Sequence, residues 1–150
     1  MRLKARTAVA TLRVSPPQRP QGTADATHLS PEVGDPAVLA TSRMIELMEL
    51  AAARLMRPNL RDGESSVGIE MEVTHAVPVP VNGMLRVVAT HEGMSGRLHR
   101  FTINAFDESG LIGSAGHTRA VVVERRLLAL ASRRVGQRSL LLDGGDEQVP

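Results

Sequence analysis

The sequence predicts an α+β fold in which an antiparallel sheet wraps one central helix. Three observations point to it: one helical stretch with an unusually wide apolar arc, four strand-like segments following it in close succession, and a weaker strand-like segment before it. At 150 residues and 16.1 kDa the chain is one domain's worth of protein, with no internal repeat and no second block of elements.

Each element follows from local pattern. Thr7 to Val14 alternates weakly, and Pro16 and Pro17 close it. Gln18 to Pro36 is rich in Pro, Gly, Ser, Thr and Asp, so it reads as a long irregular connection, of a length usual for lids and binding loops. Ser42 to Arg57 is helical in period and Pro58 stops it. At roughly 100° per residue, Met44, Ile45, Met48, Ala51, Ala52, Leu55 and Met56 form one broad apolar arc, with Arg43, Glu46, Arg54 and Arg57 opposite. A helix with so wide an arc needs cover on several sides, which a curled sheet supplies.

The remaining segments read as strands. Glu64 to His75 places Val67, Ile69, Met71 and Val73 on one face and Glu70 and Glu72 on the other, and Pro78 and Pro80 end it. Met84 to Glu92 gives the next strand and Gly93 to Gly96 a turn. Arg97 to Asp107 follows, then the short Glu108-Ser109-Gly110 connection of a hairpin. Leu111 to Glu124 is the last strand, and residues from about Gly136 onward read as a polar tail. This order fits the hotdog arrangement, a sheet curled around a single apolar helix, with an ordered core over about residues 5–134.

Composition narrows the function classes. Phe101 and Phe106 are the only aromatic rings besides histidine, so the core must be aliphatic and methionine-rich. The same scarcity argues against single-stranded nucleic acid as a partner, because such binders stack bases on aromatic side chains. The pI of 10.3 accompanies a formal charge of only +2, because the cations are almost all arginine and Lys4 is the sole lysine. Arg125, Arg126, Arg133, Arg134 and Arg138 make a modest basic patch late in the chain. With no cysteine there is no disulfide, thiolate metal site or cysteine nucleophile. The apolar run at Thr7 to Val14 is short and broken by Arg13, which predicts neither a signal peptide nor a membrane span and leaves the cytoplasm as the expected location.

Several segments in order carry a resemblance. Val38–Leu50 (VLATSRMIELMEL), Gly63–Gly68 (GESSVG) and Val73-Thr74-His75 are followed by Gly96-Arg97-Leu98 with Phe101, and by Gly116–Val122 (GHTRAVV). Together they resemble the fluoroacetyl-CoA thioesterase-like family over roughly Val38 to Val123. The resemblance implies a homodimeric hotdog enzyme without metal or cofactor that hydrolyses an acyl thioester, carried by CoA or an acyl carrier. It implies a catalytic set at Thr41, Glu49 and His75, and substrate contacts at Gly68 and Arg119. No aromatic residue lies between His28 and Ala40, where the fluoroacetyl-specific enzyme carries the phenylalanines of a lid. An ordinary short acyl group is therefore expected at least as much as a fluorinated one.

The residues themselves support parts of this set. Glu49 lies at the border of the helix's apolar arc, where partial desolvation suits a carboxylate to base or nucleophile work; a solvated border glutamate is the bland alternative. His75 is in phase with Val67, Ile69, Met71 and Val73, so it should face the helix and meet Glu49. Thr41 is equally suited to capping the helix, and Ser42 competes for that position. Eight helical residues rise about 12 Å, so Thr41 and Glu49 cannot touch within one helix. Either Thr41 sits in a preceding turn, or the two act on opposite ends of the reacting group, or each site draws on two subunits. Gly68 within a strand signals a bulge or a close backbone approach. His117 is given no chemistry, and His28, His91 and His99 read as loop or surface residues without metal-ligand spacing.

The expected mechanism has His75, oriented by Glu49, activating Thr41 or a water, with the oxyanion held at the helix N-terminus. Direct attack by Glu49 to form an anhydride stays open. A non-catalytic acyl-CoA-binding protein and, more distantly, a hotdog hydratase are the rival readings.

Overall fold

The computed structural model describes residues 3, 5–14 and 38–142. The expected Gln18 to Pro36 connection and His28 lie outside them. Five strands form one antiparallel sheet: β1 (Thr7–Arg13), β2 (Glu64–His75), β3 (Met84–Ser95), β4 (Leu98–Phe106) and β5 (Leu111–Val123). Their order across the sheet is β1-β3-β4-β5-β2, which leaves β1 and β2 at the edges. Helix α1 (Thr41–Met56) packs against β1, β3, β2 and β4 at the centre of the curl, and a short 3₁₀ turn over Arg57–Asn59 follows it. The hotdog architecture read from the sequence is the one observed.

Burial explains why this helix takes the centre. Met44, Leu47, Met48, Ala51, Ala52, Leu55 and Met56 are all buried, and they meet Leu85, Val87 and Ala89 of β3 and Phe101, Ile103 and Ala105 of β4 in one core. Each large apolar side chain so buried contributes about 1.5–3 kcal/mol, so truncating Met48 to alanine should cost roughly 2–5 kcal/mol. Gly113 on β5 lets α1 approach. A Cβ there would lie 2.4 Å from the Thr74 carbonyl oxygen and 3.2 Å from the Met44 thioether.

Four features depart from the sequence reading, the first being that β3 runs on through Gly93 to Ser95, residues read as a turn, with a bulge between His91 and Gly93. The alternation of β2 breaks at a bulge between Gly68 and Glu70, so Ile69 turns outward and is 56% exposed instead of joining the inner face. His91 and His99 are buried, not surface residues, and share a hydrogen bond of 3.2 Å. Their positions had a legible signal, since His91 is in phase with Leu85, Val87 and Ala89, and His99 with Phe101, Ile103 and Ala105. Beyond β5, helix α2 (Glu124–Leu142) runs through residues read as a basic patch and a polar tail.

Candidate active site

Two clusters of polar side chains lie along α1 and β2. The first is at the start of α1. Thr41 opens the helix and does not cap it: Ala40 holds the N-cap position, with no side-chain cap bond. The hydroxyl is engaged elsewhere, 2.9 Å from Nδ1 of His75 at the end of β2. The other ring nitrogen, Nε2, is buried and has no partner among the described residues. The N–H groups of Arg43 and Met44 both donate to the Ala40 carbonyl, at 3.1 and 3.2 Å. Among the described residues the amides of Thr41 and Ser42 are thus the ones left at the positive end of the helix dipole, beside the hydroxyl.

The second cluster lies two turns along α1, around Glu49. Its Oε1 is 3.7 Å from the Arg119 guanidinium and 3.9 Å from Nε2 of His117. Gly68 faces this carboxylate so closely that a Cβ would sit 2.4 Å from Oε1 and 3.1 Å from Cε1 of His117. The β2 bulge makes that possible. Gly68 pairs with Arg119 and Met71 with His117, so both sides of the irregularity present inward residues to β5.

Arg119 is 5% exposed and held on three sides. Its Nη1 donates to His117 Nε2 at 3.0 Å, Nη2 to the Ser66 carbonyl at 2.8 Å and Nε to the Ser66 hydroxyl at 3.3 Å. Since Nε2 of His117 accepts, its proton sits on Nδ1, which donates to the Glu70 carbonyl at 2.8 Å. Burial pushes the His117 imidazole below its usual range, opposed by that carbonyl and assisted by the Arg119 cation. Arg119 is likewise lowered by burial and raised by Glu49. The result is a neutral imidazole orienting a cation against an acid that is half open to solvent.

The five residues singled out in the sequence therefore fall into two groups. Thr41 joins His75, and Glu49 joins Gly68 and Arg119. The expected His75–Glu49 pair is not made within the chain, because Glu49 turns toward β5 while His75 meets the first residue of α1. His117, given no chemistry from sequence, is the side chain that holds Arg119. It missed recognition because its inward direction is set by cross-strand register, with Met71 of β2 on one side and the buried Phe101 of β4 on the other.

A sheet curled about one helix, with a hydroxyl–imidazole pair at the helix start and a carboxylate on its flank, defines a hotdog-fold thioesterase. A thioesterase superfamily member from Thermus thermophilus superposes with a TM-score of 0.71 at 29% identity, covering 90% of this chain and 93% of that one. A variant of the fluoroacetyl-CoA-specific thioesterase, solved with fluoroacetate and CoA, gives a TM-score of 0.70 at 32% identity over 85% and 99% of the two chains. The fluoroacetyl-CoA thioesterase of Streptantibioticus cattleyicolor is 39% identical over 99 residues, 63% of this chain and 71% of the relative. The profile of the fluoroacetyl-CoA-specific thioesterase family matches residues 22–125. The chain belongs to that family.

Proposed function

We propose that this protein hydrolyses a short acyl-CoA to the free acid and CoA, with Thr41, His75 and Glu49 as its catalytic residues and Gly68 and Arg119 contacting substrate. The observation that carries the proposal is the 2.9 Å contact between the Thr41 hydroxyl and His75 Nδ1 beside the open amides of α1. Thr41 gives its proton to Nδ1 and attacks the thioester carbonyl, or a water does so in its place. The Thr41 and Ser42 amides hold the oxyanion, the thiolate leaves with the proton returned by His75, and where Thr41 has attacked, a water activated by the same imidazole then cleaves the acyl-threonine ester to the free acid and the restored hydroxyl.

Glu49 reaches this chemistry across a homodimer. Within one chain it lies about 12 Å along the helix from Thr41. Among the described residues strand β2 is a sheet edge, and its Ile69 is exposed, which suits pairing with a second copy. Antiparallel pairing about a two-fold axis brings His75 of the partner subunit to the Glu64–Gly68 end of β2, where Glu49 and Arg119 stand. The acyl group then lies between a hydroxyl–imidazole pair from one protomer and a carboxylate from the other. Such an enzyme would act in the cytoplasm.

The test is a panel of acyl-CoAs with a thiol reagent, in which the cysteine-free chain gives no background. Wild type should release thiol, and Glu49→Gln and Thr41→Ala should each lose 10²-fold or more. Dimers mixed from those two variants should regain activity, because one of their two sites keeps both residues. No recovery in mixed dimers would sink the shared site; thiol release unchanged in Glu49→Gln would sink the assignment.

A further inference from the structure

The proposed reaction gives no part to His117, a buried imidazole in the wall of the candidate site. Both ring nitrogens are engaged: Nδ1–H donates to the Glu70 carbonyl at 2.8 Å, and Nε2 accepts from Arg119 at 3.0 Å. The Phe101 ring of β4 lies tilted against it, with centroids 6.3 Å apart, and Gly68 is so near that a Cβ there would come within 3.1 Å of Cε1. Among the described residues, the charged groups that face the ring are Arg119 on its own strand and Glu49 on α1. Strand β2 presents the Glu70 carbonyl and β4 the uncharged Phe101, behind which His91 of β3 packs.

Glu49 is held loosely in this setting. Its Oε1 stands 3.7 Å from Arg119 and 3.9 Å from Nε2 of His117, beyond hydrogen-bond length from both, and half of the side chain is open to solvent. A neutral ring has its Nε2 lone pair occupied by the Arg119 N–H and no proton there to offer the carboxylate. A second proton on the ring reverses this. Nε2 becomes a donor, Arg119 has no acceptor for it, and the imidazolium and guanidinium charges oppose each other. The acceptor within reach is then Glu49 Oε1, and a shift of about 1 Å closes the gap to an ordinary charge-assisted hydrogen bond. We infer that His117 is a proton-operated latch on Glu49: neutral, it holds Arg119 and leaves the carboxylate free for the acyl group; protonated, it draws the carboxylate onto β5 and stops turnover. The inference rests on the thioesterase reading for its effect on rate, whereas the contact between ring and carboxylate belongs to the chain without substrate. Burial, the largest influence on the ring, holds its pKa below the usual 6.5, so the latch closes in acid, and turnover present above pH 6.5 is lost as pH falls through the lower folded value.

The experiment compares wild type with His117→Gln, in which an amide oxygen can accept from Arg119 but no group at that position titrates. Both receive the best acyl-CoA of the panel from pH 8 down to 5, with a pyridyl disulfide as the thiol reagent because it reacts in acid, and melting curves at each pH show folded protein. Loss of the Glu70 bond lowers kcat of the variant at every pH alike, so the comparison is one of slopes. His75 must be neutral to take a proton, so both enzymes slow in acid, but wild-type kcat should fall about tenfold more per pH unit at the acid end. In parallel, NMR of the substrate-free chain follows the His117 ring nitrogens and the Glu49 carboxyl carbon, the latter identified by its loss in Glu49→Gln. The Glu49 signal should step at the pH where the His117 ring titrates, and that step should be absent from His117→Gln. Equal acid slopes in the two enzymes, or a Glu49 signal that ignores the His117 titration, overturns the latch and leaves the hydrolase intact. The Glu49 step with no thiol release by wild type at any pH overturns the hydrolase reading instead. If His117→Gln does not fold, the wild-type NMR titration decides: coincident steps support the latch, and independent ones overturn it.

Discussion

Gly68→Ala isolates the catalytic geometry from the stability of the fold. The added Cβ would stand 2.4 Å from Glu49 Oε1, where ordinary contact needs 3.4 Å, so the carboxylate must withdraw by about 1 Å. The obstructing atom is the end of a half-exposed side chain, which can rotate away at little cost. The only other close atom, Cε1 of His117 at 3.1 Å, must give by a few tenths of an ångström. A 1 Å displacement of a reacting group costs on the order of 10²-fold in rate, or about 2.7 kcal/mol in the activation barrier. The melting temperature should move by only a few degrees. Thiol release under saturating acyl-CoA measures kcat, and circular dichroism measures the melt. A variant that turns over within threefold of wild type would refute the reasoning, because the glycine would then be serving the strand alone.

Gly113→Ala should do the reverse: its Cβ meets the Thr74 backbone carbonyl, which cannot rotate away, so roughly 3 kcal/mol of stability and about 5–10 °C of melting temperature should be lost. Acidification should also destabilise the protein. His91, His99 and His117 all have imidazoles held below 6.5, chiefly by burial. The unfolded chain therefore binds more protons than the folded one below about pH 6.5, and stability present above that pH is lost as pH falls through the lower folded values. Melting temperatures recorded from pH 7.5 down to 5 should decline, and His99→Phe should flatten the slope.

Much of this architecture was legible because its signals are local. The alternation of Glu64 to His75 and the helical period before Pro58 give element bounds within a residue of those observed. The bulge was not legible in that way: one extra residue leaves the apolar pattern intact while turning Ile69 outward and Gly68 inward. The fate of the Thr41 hydroxyl depends on a strand end 34 residues away, so a capping role was the natural local reading. The Arg119–His117–Glu70 chain depends on strand register, which no single segment encodes. Helix α2 has a weaker apolar stripe than α1, and its exposed Leu127, Leu128 and Leu130 give little periodic contrast.

The thioethers of Met44, Met48 and Met56 are wholly enclosed on α1, whereas Met94 is 43% exposed at the far end of β3. Sulfoxide formation would turn an apolar side chain into a polar one, so oxidation of any of the enclosed three is incompatible with the closed core. Under mild peroxide Met94 should be modified first among the described methionines. The enclosed methionines would react only during transient opening, so their rate of modification reads how often the helix leaves its sheet.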